Sequence, residues 1–426
     1  MILPLLVFFQ LAATDSLPRI TLDDALSRAA RLDPAYVAAR GDASAAEWER
    51  RAAWSALLTP SLSATTDASK YSTPTFNLGT GDLSSVAVNA RLDARYELFS
   101  GGRRLAELGR SAAALEGAHA TERQARFDAA LRTETDYYEV LAAEELSRVQ
   151  RDRVQRALEQ LVVARARVVS GAAVATDSLQ LLLELARARV AGVKQDAAVR
   201  VARLQLGRRV GMDGPVEAAP LDSAVPSELP VTLEQAVAEA RAGGPRWVSA
   251  RANERAADAV LRSTRGSYLP QISVGASTAA FDNRFFPSAT TRSSVSIQAS
   301  LPIWDGARRE VEVARARAAR DAAAAVRLDA ERSIARDVTE AFEAYGTARA
   351  TVLLSADALL VARENYRVQD TRYRAGATTI LDLLEAQLGL SQAEADLVQS
   401  RHAARLALAG LEALLGRRIF DDRSTP

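Results

Sequence analysis

Few side chains in this sequence are of the kind that carry reaction chemistry. There are two histidines, His119 and His402, and no cysteine. A thiolate metal site, a cysteine nucleophile, a disulfide framework and a lipidated N-terminal cysteine are therefore excluded. Both histidines fall in Ala-rich helical stretches and read as lone surface residues, not as parts of a metal site or a triad. There is no phosphate-binding loop and no nucleophile elbow, and carboxylate pairs at helical spacing are too common to mark an active site. These residue types point away from an enzyme and imply neither cofactor nor metal. Lys+Arg total 54 and Asp+Glu 53, a net charge of +1, which argues against nucleic acid as a partner.

The elements around these residues come twice. Ile20-Thr21-Leu22-Asp23-Asp24-Ala25 is echoed by Val231-Thr232-Leu233-Glu234-Gln235-Ala236. Leu98-Phe99-Ser100-Gly101 is echoed by Ile303-Trp304-Asp305-Gly306, and Leu206-Gly207-Arg208-Arg209-Val210 by Leu415-Gly416-Arg417-Arg418-Ile419. Gly171 and Asp177 map to Gly376 and Asp382 at a constant offset of 205. Chance likeness between Ala-rich helices does not align Gly, Pro and Asp in this way, so the chain reads as a duplication. Residues 1–14 read as the apolar core and cleavage site of a secretory signal that lacks a positive n-region. Residues 15–210 form the first repeat, 211–230 a Pro-rich linker, and 231–420 the second repeat.

Each repeat opens with a helix, about Leu22–Leu58 and Leu233–Tyr268, followed by two strands, about 60–71 and 84–99, then about 271–281 and 293–303. Val86, Val88, Ala90, Leu92, Ala94, Tyr96 and Leu98 alternate with Ser85, Ala87, Asn89, Arg91, Asp93, Arg95 and Glu97. Val295, Ile297, Ala299, Leu301 and Ile303 alternate with polar residues in the second repeat. Such segments, apolar on one face and polar on the other, are the pattern of membrane β-barrels. Tyr71, Phe76, Phe281, Phe285 and Phe286 cluster at one end, and Tyr96, Phe99 and Trp304 at the other, as two interfacial girdles. A soluble hairpin with one wet face alternates too, but it would bury Val, Ile and Leu under a helix, whereas these faces are rich in Ala and Thr. Four strands cannot close a barrel alone, so a membrane reading requires several protomers to share one.

Proline-free stretches of 68 residues then run from Arg103 to Ser170 and from Arg308 to Ala375. As continuous helices they would reach ~100 Å. Each breaks at a glycine and returns, giving helical hairpins over about 103–207 and 308–416 with tips at 171–177 and 376–382. Thr379 and Asp382 have the spacing of a capping box. No run of ~18 apolar residues occurs past the N-terminus, so any membrane passage is by strands.

Taken in order and twice over, Leu58-Thr59-Pro60-Ser61-Leu62, Tyr268-Leu269-Pro270-Gln271-Ile272, the Leu98 and Ile303 motifs, and Arg372-Tyr373-Arg374-Ala375-Gly376 followed by Leu381-Asp382-Leu383-Leu384-Glu385-Ala386-Gln387 resemble the TolC-like outer-membrane efflux proteins. The resemblance covers nearly the whole chain. It implies a mainly α fold with a small β part and a homotrimer whose twelve-stranded β-barrel continues as a long periplasmic α-barrel. It further implies a passive exit duct of a tripartite efflux pump or type I secretion system. The partners would be outer-membrane lipid, a periplasmic adaptor, and an inner-membrane pump of RND, ABC or MFS type. Gly171 and Gly376 would turn the tips where the adaptor docks. Tyr373, Asp177 and Thr378 match positions that latch the tips shut, although a basic residue often stands where Thr378 is. Asp382 and Glu385 match an acidic ring, whose mutual repulsion would raise carboxyl pKa values. Alternatively, Asp177 and Asp382 only cap helices. Without a cysteine the chain falls outside the lipid-anchored branch. A periplasmic coiled-coil scaffold or adaptor fits the helices but not the duplicated strands.

Overall fold

The computed structural model describes residues 17–77, 81–221, 228–283 and 290–420. The expected signal segment, Phe285 and Phe286 lie outside them. In chain order the elements are β1 (Arg19–Ile20), α1 (Leu22–Leu32), α2 (Pro34–Leu58), β2 (Ser61–Asn77), β3 (Asp82–Ser100), α3 (Arg103–Val169), α4 (Ala175–Arg209) and β4 (Glu217–Ala218). They continue with α5 (Leu233–Gly243), α6 (Pro245–Arg265), a 3-10 turn (Gly266–Tyr268), β5 (Gln271–Asp282), β6 (Thr290–Ser300), α7 (Arg308–Arg374) and α8 (Ile380–Leu415). The long helices α3 and α7 each run 67 residues without a break.

The leading helix of each repeat is broken, contrary to the single helices read from sequence. Asp33 ends α1 with an extended backbone. Its carboxylate accepts from the backbone N–H groups of Ala35 and Tyr36 at 3.0 and 3.1 Å. A residue before proline is driven out of the helical region, and Pro34 then suits the first turn of α2, whose free N–H it lacks. Gly244 and Pro245 repeat the break between α5 and α6. Strand β6 likewise stops at Ser300, short of the expected 303, because Pro302 has no N–H for the ladder.

Two compact units form. One gathers residues up to 38 with 124–240 and from 335 onward; the other gathers 39–123 and 241–334. Each therefore draws on both sequence copies.

In the first unit, β1 pairs with β4 in parallel through Arg19 with Glu217 and Ile20 with Ala218. Beneath this pair lies a core of Tyr137, Tyr138, Val140, Val199, Leu206 and Val216. The Tyr137 hydroxyl donates to the Ala219 carbonyl at 2.7 Å, which satisfies a buried phenol. His402 is a correction to the surface reading. It is 6% exposed and packs its ring against Tyr138 at 6.2 Å. In α8 polar and apolar residues are spread around the helix, so the residue pattern does not mark which side is wet.

The second unit carries an antiparallel sheet in the order β2-β3-β5-β6, with register shifts between Lys70 and Thr75 and between Glu97 and Phe99. β2 and β6 are its edges.

Where β6 leads into α7, Gly306 and Ala307 have φ of 73° and 64°. The first repeat uses Gly101 and Gly102 at the matching place, with φ of 63° and 81°. A left-handed alanine is strained by about 1–2 kcal/mol. Ala307→Gly is expected to stabilise the protein by about 0.5–1 kcal/mol, after the added freedom of the unfolded chain is subtracted. A rise in the denaturant midpoint would show it, and a fall would contradict the strain.

Candidate functional site

Two features of the structure could serve a function: the faces of the sheet and the turns that end the long helices.

The register sorts the sheet residues by face. Leu62 pairs with Ala94, Ala64 with Leu92 and Thr66 with Ala90. Ala276 pairs with Ala94 and with Val295, and Val274 with Tyr96 and Ile297. One face is therefore continuous in apolar and threonine side chains. It is also uncovered: Leu62 is 70% exposed, Val295 77% and Ile297 73%. On the other face Ser63 pairs with Asp93, Asp93 with Ser277 and Ser277 with Ser294, beside Arg91, Arg95 and Gln298. Arg91 and Asp93 form an ion pair at 2.8 Å.

The expected girdle aromatics divide. Tyr96 and Phe99 lie on the apolar face, opposite Val274 and Ile272, and the Tyr96 hydroxyl donates to the Leu57 carbonyl at 2.9 Å. Tyr71 sits in the register shift of β2, half-exposed. Trp304 lies beyond the end of β6, 78% exposed. Phe281 corrects the reading: it pairs with Asn89, itself opposite Asp67, and so has the parity of the polar face. The two-residue period of the strand, not position along the chain, decides which face a side chain meets.

Both tip turns lie in the first unit. Gly171 and Gly376 have φ of 74° and 76°, the left-handed conformation that lets Ala172 and Ala377 donate back to the carbonyls of Arg167 and Arg372, each at 2.8 Å. α8 then opens with a capping box. The Asp382 backbone N–H donates to the Thr379 hydroxyl at 3.3 Å, and the Asp382 carboxylate accepts from the Thr379 backbone at 3.1 Å. The same carboxylate accepts from the hydroxyls of Thr379 and Thr378, each at 2.7 Å. Those hydrogen bonds hold the Asp382 carboxyl below its ordinary range. Thr378 is thus tied to Asp382 and not to Tyr373 or Asp177. Glu385 is exposed one turn further along α8. In the first repeat the capping place is held by Val174, which has no side-chain cap, so Asp177 has no box to complete.

Tyr373 is 2% exposed, packed with Leu161, Leu181, Ile380 and Leu383. Its hydroxyl is buried without a hydrogen-bond partner. Burial first, then the nearby charge of Asp177, raises the phenol above its usual pKa. Sequence reasoning missed the group that holds this tyrosine. The Arg167 guanidinium lies 4.7 Å from the Tyr373 ring centre and donates to the Tyr373 carbonyl and, at 3.2 Å, to the Ala172 carbonyl. One side chain so joins the end of α7 to the tip turn after α3. The signal was present: an arginine stands four residues before the tip glycine in both repeats, Arg167 and Arg372, and Arg372 also reaches the Ala377 carbonyl of its own turn at 3.4 Å. Below the tip the ties continue, with Gln160 donating to the Tyr366 hydroxyl at 2.8 Å, Arg156 paired with Glu394 at 3.0 Å and Arg153 with Glu184 at 2.5 Å.

No group of His, Asp or Glu among the described residues is placed to hold a metal ion, and no described helix is long and apolar enough to cross a membrane.

Residues 11–211 and 236–417 match the family described as outer membrane efflux protein. Over 290 residues the chain is 24% identical to the outer membrane efflux protein BepC of Brucella suis, a match spanning 67% of this chain and 62%, less than two thirds, of that relative. The fold is similar to that of the Campylobacter jejuni CmeC outer membrane channel, with a TM-score of 0.79 at 14% identity, covering 93% of this chain and 85% of that one. It is also similar to the outer membrane protein VceC of Vibrio cholerae, with a TM-score of 0.76 at 16% identity, covering 93% and 96%.

Proposed function

The chain belongs to the outer membrane efflux protein family, and from that premise we propose that three copies share one twelve-stranded barrel to form a passive exit duct through the outer membrane. The observation that carries this reading is the sheet, with its uncovered apolar face and two unpaired edges. An edge leaves backbone N–H and C=O groups unpaired, which hydrocarbon does not tolerate, and closure needs about eight strands or more. Pairing β6 of each copy with β2 of the next removes every edge. The apolar face then meets lipid, and the face bearing Arg91, Asp93, Arg95 and the serines meets water. A coiled-coil scaffold would give the apolar face nothing to touch.

The hairpin tips form the gate. Arg167 holds Tyr373 and the first tip turn together, and opening requires that tie to part when a periplasmic adaptor and an inner-membrane pump engage the tips. The duct itself carries out no chemistry, and energy comes from the pump. The exposed carboxylates of Asp382 and Glu385, repeated three times around the entrance, attract cations even though Asp382 also caps α8.

Single-channel recording in planar bilayers tests this. Arg167→Ala is expected to raise the mean conductance relative to the unmodified channel. Asp382→Ala combined with Glu385→Ala is expected to lower the preference for cations, read as a shift of the reversal potential in a salt gradient. A protein that conducts in no variant would overturn the duct, and unchanged conductance in Arg167→Ala would remove Arg167 from the gate.

A further inference from the structure

The first unit contains a pocket of about 250 Å³ to which the duct assigns no role. It is far larger than the roughly 30 Å³ that one water occupies in the liquid. α8 contributes Arg401, His402 and Arg405, α3 contributes Leu141, Glu144, Glu145 and Arg148, and the β1–β4 pair contributes Arg19 and Glu217.

His402 faces this pocket in an unusual state. It is 6% exposed, yet neither ring nitrogen has a hydrogen-bond partner. A core histidine with a purely structural role bonds at least one of them. The Nε of neighbouring Arg401 is also buried without a partner. The carboxylates of the pocket are already matched. Glu144 and Glu217 both accept from Arg203, at 2.9 and 3.0 Å, Glu217 also pairs with Arg19 at 3.5 Å, and Glu145 lies 4.0 Å from Arg148. Arg405 lies over the Tyr138 ring at 5.7 Å. Among the described residues Arg401 is left with no carboxylate, beside an imidazole that has a donor and an acceptor to spare.

We propose that this pocket binds a small oxyanion of the phosphate type, held by the Arg401 guanidinium and a ring N–H of His402. An anion supplies acceptors to both orphaned donors and balances the Arg401 guanidinium, whereas a metal cation would meet that guanidinium. Burial, with Arg405 and Arg401 nearby, depresses His402 to about 4. Tyr138, the other titratable group against the ring, is raised to about 12 by burial and stays neutral. A bound dianion would reverse the electrostatic penalty and draw a proton onto His402.

The sequence makes the test simple, because it has only two histidines. The full chain, extracted in detergent as its native assembly and labelled with 13C and 15N in histidine alone, gives two ring signals, and His119→Gln assigns them. Adding inorganic phosphate at constant ionic strength is expected to move the His402 signal saturably and to raise its titration midpoint by about one pH unit, equivalent to tenfold tighter binding to the protonated form. Arg401→Met, with its unfolding temperature unchanged, should abolish the saturable response. A parallel titration with acetate separates phosphate selectivity from general oxyanion binding, and saturation by either supports the site. If neither anion moves His402 more than chloride does, or if Arg401→Met responds as the unmodified protein does, the proposal is overturned.

Discussion

Replacing Arg418 with methionine is expected to destabilise the protein by about 3–5 kcal/mol, among the largest effects of any single substitution in the chain. Arg418 follows the left-handed Gly416 that ends α8. Its guanidinium donates to Glu134 of α3 at 2.5 Å and to Glu412 of α8 at 2.7 Å. The two glutamates are 2% and 4% exposed. Glu412 also accepts from the Ile419 backbone at 2.8 Å, so the short segment after α8 is tied down at both oxygens of one carboxylate. Burial by itself would lower the Arg418 pKa, but Glu134 and Glu412 hold it above its ordinary value. Glu134 is raised by burial in spite of the arginine. Methionine keeps the packing volume and leaves two desolvated carboxylates facing each other, which is the costly way to break a buried pair. The sign with pH follows. A carboxyl whose folded pKa lies above its unfolded value of about 4.3 binds more protons when folded, so the deficit of Arg418→Met should narrow as pH falls from about 7 to about 5. Urea unfolding at both pH values measures this, and Glu134→Gln in the same background should recover part of the loss. A deficit below about 1 kcal/mol, or one that widens with acid, would mean that the triad is not the tie described.

Val295→Arg is expected to cost about 2–4 kcal/mol in lipid, while Ser294→Arg, one residue away, costs little. Val295 lies near the middle of β6 on the apolar face, opposite Ala276, whereas Ser294 is on the polar face with its hydroxyl 2.9 Å from that of Ser277. In the single chain both side chains are exposed. If the apolar face met water, either arginine would be a surface change worth no more than about 0.5 kcal/mol. Only hydrocarbon on one side makes neighbours differ so strongly. Unfolding of both variants in lipid vesicles measures the contrast, and equal stability would contradict a lipid-facing sheet.

Much of the architecture was readable because it rests on strict periods. The alternation from Ser85 to Leu98 placed β3, and the paired glycines at an offset of 205 placed the two tips. The Thr379 and Asp382 spacing foretold the capping box. What escaped had other causes. Pro34 and Pro245 were visible, but the breaks they make were overridden by a long helical pattern on either side. His402 was misplaced because Ala-rich helices have weak apolar faces, so pattern alone does not separate core from surface. Phe281 was grouped by its position along the strand, although parity decides which face a side chain meets. Arg167 escaped because its two acceptors, the carbonyls of Tyr373 and Ala172, come together only when the turns of both repeats fold side by side.

Cysteine crosslinking across the sheet edges tests the shared barrel most directly, and the absence of native cysteine leaves the chain ready for it. Ser63 on edge strand β2 and Ser296 on edge strand β6 both have polar-face parity. Within one chain β3 and β5 separate them by three strand spacings, about 14 Å, whereas a disulfide needs Cα atoms within about 7 Å. Ser63→Cys combined with Ser296→Cys, and with Ser294→Cys to allow for the register between chains, would be oxidised in outer-membrane fractions. Three chains closing one barrel predict a covalent ladder of monomer, dimer and trimer that stops at the trimer. Monomer alone in every pairing, or a ladder that runs past three, would contradict the account.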